Sequence, residues 1–177
     1  STGKRTICAA IEGGYLDEFG YVKEDFLIVD SVYLTYKFFH SIGKEVPTFE
    51  ELRHMIDGDE KTWDIYANGI TCCINQCEKE ATTNRVKKYK PQNLAELSSF
   101  IAAIRPGFAS LLSTFLNREP YTTGEKKIDD LLSDTAHFML YQESIMKVLS
   151  FLQLRMTETY GVIKNISKKK YRLHPEM

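Results

Sequence analysis

The sequence predicts a mainly helical fold with a small β-hairpin or sheet at its N-terminal end, an α+β arrangement. Three observations carry this. Apolar side chains recur at three- and four-residue intervals from Val29 onward, the spacing of one helix face. Gly13-Gly14 marks a tight turn between two β-compatible runs. Thr48-Phe49-Glu50-Glu51 has the form of a capping box, a signature of a helix start.

Taken in order, residues 6–11 (Thr-Ile-Cys-Ala-Ala-Ile) suit one arm of the hairpin, and residues 21–29 its return strand. Side chains alternate along a strand, so Lys23 and Asp25 would share a face, with Phe26 on the other. Val29, Val32, Tyr33, Tyr36 and Phe39 then form a helical stripe. Pro47 and Thr48 open the next helix, with Thr48 as N-cap and Glu51 at the third helical position. Gly58-Asp59-Glu60 is a turn before a short helix over 61–67, where Trp63 is expected to anchor the core. Asn68-Gly69 leads into a short strand over 70–74. A helix over 78–89 ends ahead of Pro91, and another over 94–104 carries Leu94, Leu97, Phe100, Ile101 and Ile104 on one stripe. It stops before Arg105-Pro106-Gly107, because proline disfavours helical geometry in the residue preceding it. Residues 108–116 read as helical, 117–127 as a polar loop, and 137–141 as a short strand or extended turn. Helices follow over 142–154 and 156–166, with Phe138, Met139 and Met146 as core candidates.

The chain has 177 residues, enough for one domain with a sizeable core, or one domain and a small part of a second. With 43% hydrophobic and 27% charged residues, it has the composition of an ordinary soluble protein. No apolar run approaches the length of a membrane span, and the start has no signal-peptide pattern. A first residue other than Met suits a chain processed or cut from something longer. Cys8, Cys72, Cys73 and Cys77 lack the two close pairs that a zinc site wants, so free buried thiols in a reducing cytoplasm are expected.

The net charge of −1 argues by itself against nucleic acid, but its distribution does not. Residues 8–64 hold thirteen acids and five Lys or Arg. Residues 79–90 carry five bases and one acid, and 164–172 five bases and no acid. Blocks of opposite sign suit a chain that presents two basic faces to a polyanion, although any single charge run is more often a solvated helix face.

Five runs in this order, with their spacing, resemble the core of the C-family bacterial replicative DNA polymerases. They are Lys23-Glu24-Asp25-Phe26-Leu27, Gln76-Cys77-Glu78, Arg105-Pro106-Gly107, Tyr141-Gln142-Glu143-Ser144-Ile145-Met146 and Ser167-Lys168-Lys169-Lys170. The resemblance covers about 20–172, and Tyr141-Gln142-Glu143 with Met146 is its most specific match. There are departures. Lys79 stands where the family has Ser, Ile163-Lys164 where it has an Arg pair, and Ser167 where it has Gly. They suggest a distant branch, viral or plasmid-borne. The family's upstream Asp-x-Asp motif has no counterpart before Lys23.

The resemblance implies a segment of a DNA-directed DNA polymerase. Residues 1–28 would be a palm-edge β-hairpin made of the last palm strands, and 29–177 the helical fingers domain. Asp25 would be a catalytic metal ligand, with Lys23 beside it neutralising phosphate charge. Nucleotidyl transfer uses two Mg²⁺ ions to brace the attacking and leaving oxygens, so magnesium is the expected cofactor, and only in the intact polymerase. Without the resemblance, Lys23 and Asp25 would read as a surface pair of little energetic value. Lys164, Lys168, Arg105, Gln142 and Tyr141 are the expected nucleotide-binding residues. Lys164 and Lys168, four apart on a helix, could together grip a triphosphate, or simply form a solvated cationic helix end. Lys87, Lys88, Lys169 and Lys170 are the expected DNA contacts. Expected partners are primer-template DNA, an incoming dNTP and the rest of the polymerase with its Asp-x-Asp palm, with no membrane. The expected location is the cytoplasm of a bacterial cell, or of a bacterial host if the protein is from a phage. One carboxylate does not hold two metals, so the isolated chain is expected to be inactive. The alternative is a non-catalytic helical module or scaffold, derived from the polymerase fold, that binds nucleic acid or protein through the two basic segments.

Overall fold

The computed structural model describes residues 10–13, 15–16, 19–21, 24 and 26–167. The chain folds as two units, Ser1–Val46 and Pro47–Met177.

In the first unit, α1 (Asp30–Ser41) follows an extended Val29, with Asp30 in its first turn, favourable to the helix dipole. The helix buries no residue. The expected N-terminal hairpin is not present where the residues are described. Among the described residues there is no strand. The amides of Tyr15, Phe19 and Tyr21 donate to the carbonyls of Glu12, Tyr15 and Leu16 at 2.9, 3.3 and 3.0 Å. Of these residues only Tyr21 belongs to an expected strand, and its amide, spent on Leu16, is not available to a ladder. Phe26, Leu27 and Ile28 are 86–90% exposed with no strand beside them among the described residues, and a two-stranded hairpin is marginal without a packed face. Residues 6–9, Lys23 and Asp25 lie outside the described residues.

The second unit opens on α2 (Phe49–Ile56). Its capping box is present in full: Thr48 Oγ1 accepts from the Glu51 amide at 3.3 Å, and the Thr48 amide donates to the Glu51 carboxylate at 2.7 Å. The buried indole of Trp63 in α3 (Glu60–Asn68) donates to the Ile56 carbonyl at 3.1 Å, tying these two helices together. Gly69 ends α3 with φ +73°, a left-handed cap that glycine takes without strain. Beyond it the expected strand over 70–74 is absent. The amides of Ile74 and Cys77 donate to the Thr71 and Ile74 carbonyls, and Cys73 and Gln76 have positive φ, so the segment is a run of turns. These turns bring α3 back against α4 (Glu80–Tyr89).

Asn93 caps α5 (Leu94–Ala103) by accepting from the Glu96 amide at 2.9 Å. A 3₁₀ turn, Pro106–Phe108, follows Arg105, and α6 (Leu112–Leu116) follows that, so the helix expected over 108–116 is interrupted. Part of the polar loop is helical, as α7 (Lys126–Leu131). Residues 137–141 form an extended turn leading into α8 (Gln142–Phe151), which packs on α7 and on α9 (Met156–Ser167).

The core joins α4, α5, α6 and the segment before α8. Val86, Tyr89, Phe100, Ala103, Phe115, Leu116 and Phe138 are all buried. Tyr89 stacks with Phe115 and with Phe100, centroids 4.7 and 5.7 Å away, and Phe138 meets Phe108 and Phe115 edge-on. Such aromatic pairs add about 0.5–1.5 kcal/mol each beyond the area they bury. Met139, expected in the core, is 46% exposed, because the turn at Ala136 and His137 rotates it outward as Phe138 goes in.

Candidate functional site

Two of the expected site residues flank turns that sequence alone leaves unconnected. Arg105 follows the C-terminal end of α5 and is held extended by the proline after it. Tyr141 precedes α8 in extended geometry, φ −113° and ψ 155°. Its hydroxyl donates to Ser98 Oγ at 3.2 Å and lies 3.2 Å from Ser99 Oγ, both on α5. These bonds lash the start of α8 to the middle of α5. Between the two helices lies an open pocket of about 460 Å³. Leu97 and Ile101 contribute its apolar floor, and Ser98, Arg105, Tyr141, Gln142 and Glu143 its polar rim. Three expected nucleotide-binding residues, Arg105, Tyr141 and Gln142, therefore meet at one pocket. An exposed guanidinium offers planar, paired N–H donors matched to phosphate oxygens, and Gln142 adds an amide able to donate and accept.

The other expected residues lie elsewhere. Lys164 is half-buried on α9, the helix packed against α8. Lys168, Lys169 and Lys170 lie outside the described residues, as do Lys23 and Asp25. Lys87 and Lys88 occupy the last turn of α4, where cations complement the helix dipole. The Lys87 stem crosses α3 so closely that a Cβ on Gly69 would meet its Cδ at 2.6 Å. Lys88 borders a shallow depression of about 340 Å³ with Lys90, Asn117 and Arg118. The basic end of α4 is thus a built surface, distinct from the α5–α8 pocket.

Arg118 holds that end in place and has no signal in the sequence. Its φ is 55°, and its guanidinium lies 4.5 Å over the Tyr89 ring. Nε donates to the Tyr89 carbonyl and Nη2 to the Lys90 carbonyl, each at 3.2 Å, satisfying oxygens left open where α4 ends. Nη1 and Nη2 also reach the Glu96 carboxylate at 3.2 and 2.6 Å. Hydrogen bonding from Arg118 holds the Glu96 carboxyl below its ordinary range, and the same bond raises Arg118. A second missed feature is Asp129, which accepts from the hydroxyls of Thr122 and Thr123 and from the Thr123 amide. These bonds, the Thr122 hydroxyl first, bring its pKa down to about 2. Thr122-Thr123-Gly124 is the local cue for that clasp, since threonine hydroxyls next to glycine favour side-chain-bonded turns. Cys77 is buried, as expected of the thiols, whereas Cys72 and Cys73 are exposed.

Among the described residues, no group of three or more His, Cys, Asp or Glu is placed to hold a metal ion. Those residues alone do not build a magnesium site. No described helix is long and apolar enough to cross a membrane.

Residues 41–177 match the model of the bacterial DNA polymerase III alpha subunit finger domain. DNA polymerase III subunit alpha of Bacillus subtilis (strain 168) is 27% identical over 161 residues, 88% of this chain and 14% of that protein. The subunit from Streptococcus pyogenes is 28% identical over 136 residues, 73% of this chain and 13% of its own length. That of Caulobacter vibrioides is 25% identical over 143 residues, 78% of this chain and 12% of its own. The chain spans only 12–14% of the length of these curated relatives. With the family model matched from residue 41 to the last residue, the chain belongs to the bacterial DNA polymerase III alpha subunit finger domain family.

Proposed function

We propose that this chain serves as the fingers of a template-directed DNA polymerase and binds the incoming dNTP at the α5–α8 pocket. The observation that carries the reading is the convergence on that pocket of Arg105 with the adjacent pair Tyr141 and Gln142, which lies far along the sequence from it. Arg105 takes a phosphate oxygen pair. Gln142 reads or orients the nucleotide, and Tyr141, tied to Ser98 and Ser99, fixes where the first turn of α8 stands. Lys164 and Lys168 supply further positive charge toward the triphosphate. Lys87 and Lys88, with Lys169 and Lys170, grip the DNA backbone without reading sequence. Asp25, helped by Lys23, contributes one magnesium ligand to a palm whose other carboxylates come from the rest of a longer polymerase. The exposed apolar run Phe26, Leu27 and Ile28 suits a segment covered by such further chain. Within that polymerase the fingers position the nucleotide and neutralise its charge, and the palm carries the metal chemistry.

Calorimetric titration of the 177-residue chain with a dNTP tests the pocket directly. Binding should weaken about tenfold or more in Arg105→Ala, as expected for loss of a charge-assisted phosphate pair. It should change little in Lys88→Ala, on the other surface. Equal affinity of Arg105→Ala and the parent chain would remove the pocket from nucleotide binding. The non-catalytic binding module would then be the better reading, resting on the basic end of α4 alone.

A further inference from the structure

Cys72 and Cys73 lie in the turns between α3 and α4, both exposed, with their sulfurs 3.8 Å apart. Neither nucleotide nor DNA binding uses them. Adjacent side chains on an extended chain point to opposite sides. Here the left-handed backbone at Cys73, φ 62°, breaks that alternation where the two thiols meet. Such a conformation is unfavourable for a residue with a Cβ. The thiols themselves do not hold the turns. That is done by Thr71 Oγ1, 2.6 Å from Thr83 Oγ1, and by the Thr83 hydroxyl donating to the Cys77 carbonyl at 3.0 Å. The sulfurs can therefore react without dismantling what surrounds them. Cys77 differs in access rather than acidity: contact with Cys72 pushes the exposed Cys73 thiol up and burial pushes Cys77 up, but only Cys77 is buried and stays an inert packing group.

We propose that Cys72 and Cys73 form a redox-active vicinal dithiol, which closes reversibly into a disulfide ring by exchange with a small disulfide such as oxidised glutathione. One cysteine, as its thiolate, attacks the small disulfide. A protein–glutathione bond forms and the first glutathione thiolate leaves. The second cysteine, as its thiolate, attacks the protein sulfur of that mixed disulfide. The Cys72–Cys73 bond forms and the second glutathione departs. Two electrons pass from the two protein sulfurs to the reagent. The two thiol protons end on the two released glutathiones. The Cys73 thiol donates to or accepts from Cys72 sulfur in the reduced form, so the attacking and resolving groups are already in contact.

Adjacency makes this bond labile. Neighbouring α-carbons stand about 3.8 Å apart, short of the roughly 4.4–6.8 Å span of an ordinary disulfide. Strained, exposed disulfides are the easily reduced, regulatory kind, whereas structural ones resist the glutathione pool. The pair therefore answers to the thiol–disulfide balance around it and is no staple of the fold.

The test uses Cys8→Ser with Cys77→Ala, which leaves the pair as the protein's only thiols. After incubation with oxidised glutathione, non-reducing intact mass should show a monomer lighter by two hydrogens, carrying no glutathione. It should refuse iodoacetamide and return to the starting mass with dithiothreitol. Adding Cys73→Ser should trap a single glutathione adduct. A double variant that stops at glutathione adducts, or links only between chains, overturns the proposal. Should Cys77→Ala disturb the fold, Cys8→Ser alone is oxidised and the peptide over residues 62–79 is fragmented. Missing cleavage between 72 and 73, with cleavage intact between 73 and 77, supports the ring. A link from Cys77 overturns it.

Discussion

Arg118 makes four hydrogen bonds and one ring contact from a single guanidinium, and it does so on a backbone conformation that costs energy. Removing it would strip the Tyr89 and Lys90 carbonyls of donors and leave Glu96 without its cation. Arg118→Ala should lower stability by about 2–3 kcal/mol, read as a drop in the urea midpoint at unchanged slope. Arg118→Lys should recover little, since one ammonium does not span both carbonyls and the carboxylate. A change under about 0.5 kcal/mol, the range of ordinary surface substitutions, would show that the clamp contributes nothing. Asp129 makes a pH prediction. Its folded pKa is about 2 against an ordinary value of 3.8, so the folded form favours the charged carboxylate. That contribution is complete above about pH 4 and is lost as pH falls toward about 2. Asp129→Asn should lower stability at pH 7 and flatten the decline between about pH 4 and pH 2. An acid limb as steep as that of the parent would place its origin elsewhere.

At the scale of elements, the α3–α4 junction depends on a residue with no Cβ. Gly69→Ala faces a left-handed φ of +73° and the Lys87 stem at 2.6 Å. The stem is flexible and yields, so backbone strain dominates, at about 1 kcal/mol. Thermal melts should show a modest loss, and Lys87 should be displaced from its seat over α3. Thr48→Ala removes the capping box of a helix with no buried residue. A loss of about 1 kcal/mol is expected, and it should appear as faster amide exchange over residues 49–52 with the rest of the second unit unchanged. Replacing both Lys87 and Lys88 by Ala should weaken DNA binding uniformly across sequences. The slope of log affinity against log salt should fall by about 1.8, at about 0.9 per phosphate contact on duplex DNA. An unchanged slope would mean that this helix end does not meet the phosphates.

For the whole molecule, the proposed division of labour predicts that the isolated chain does not extend a primer in magnesium. The reaction needs carboxylates around two ions, and the described residues bring no such group together. Templated incorporation by the 177-residue chain, absent contaminating polymerase, would overturn that expectation.

What the sequence determined by itself was whatever depends on neighbours along the chain. The α2 cap needs residues three apart, the α5 stripe needs a period near 3.6, and the stop before Pro106 needs one ring. All are present in the structure. The family could also be read from the sequence, through the order and spacing of five short runs. Contacts between distant residues were decided only by the tertiary structure. In the β-compatible return run, the Tyr21 amide is spent on Leu16 and the Val29 carbonyl on Val32 and Tyr33, and β propensity mostly measures a packed face to lie on. Residues 70–74 form turns that connect α3 to α4, which packs against it. Arg118 reaches back nearly thirty residues to close α4, and Arg105 meets Tyr141 and Gln142 only once α5 and α8 are lashed together. Chain closure of that kind follows from burying Tyr89, Phe100, Phe115 and Phe138 in one core, and no local pattern encodes which distant partner each of them finds.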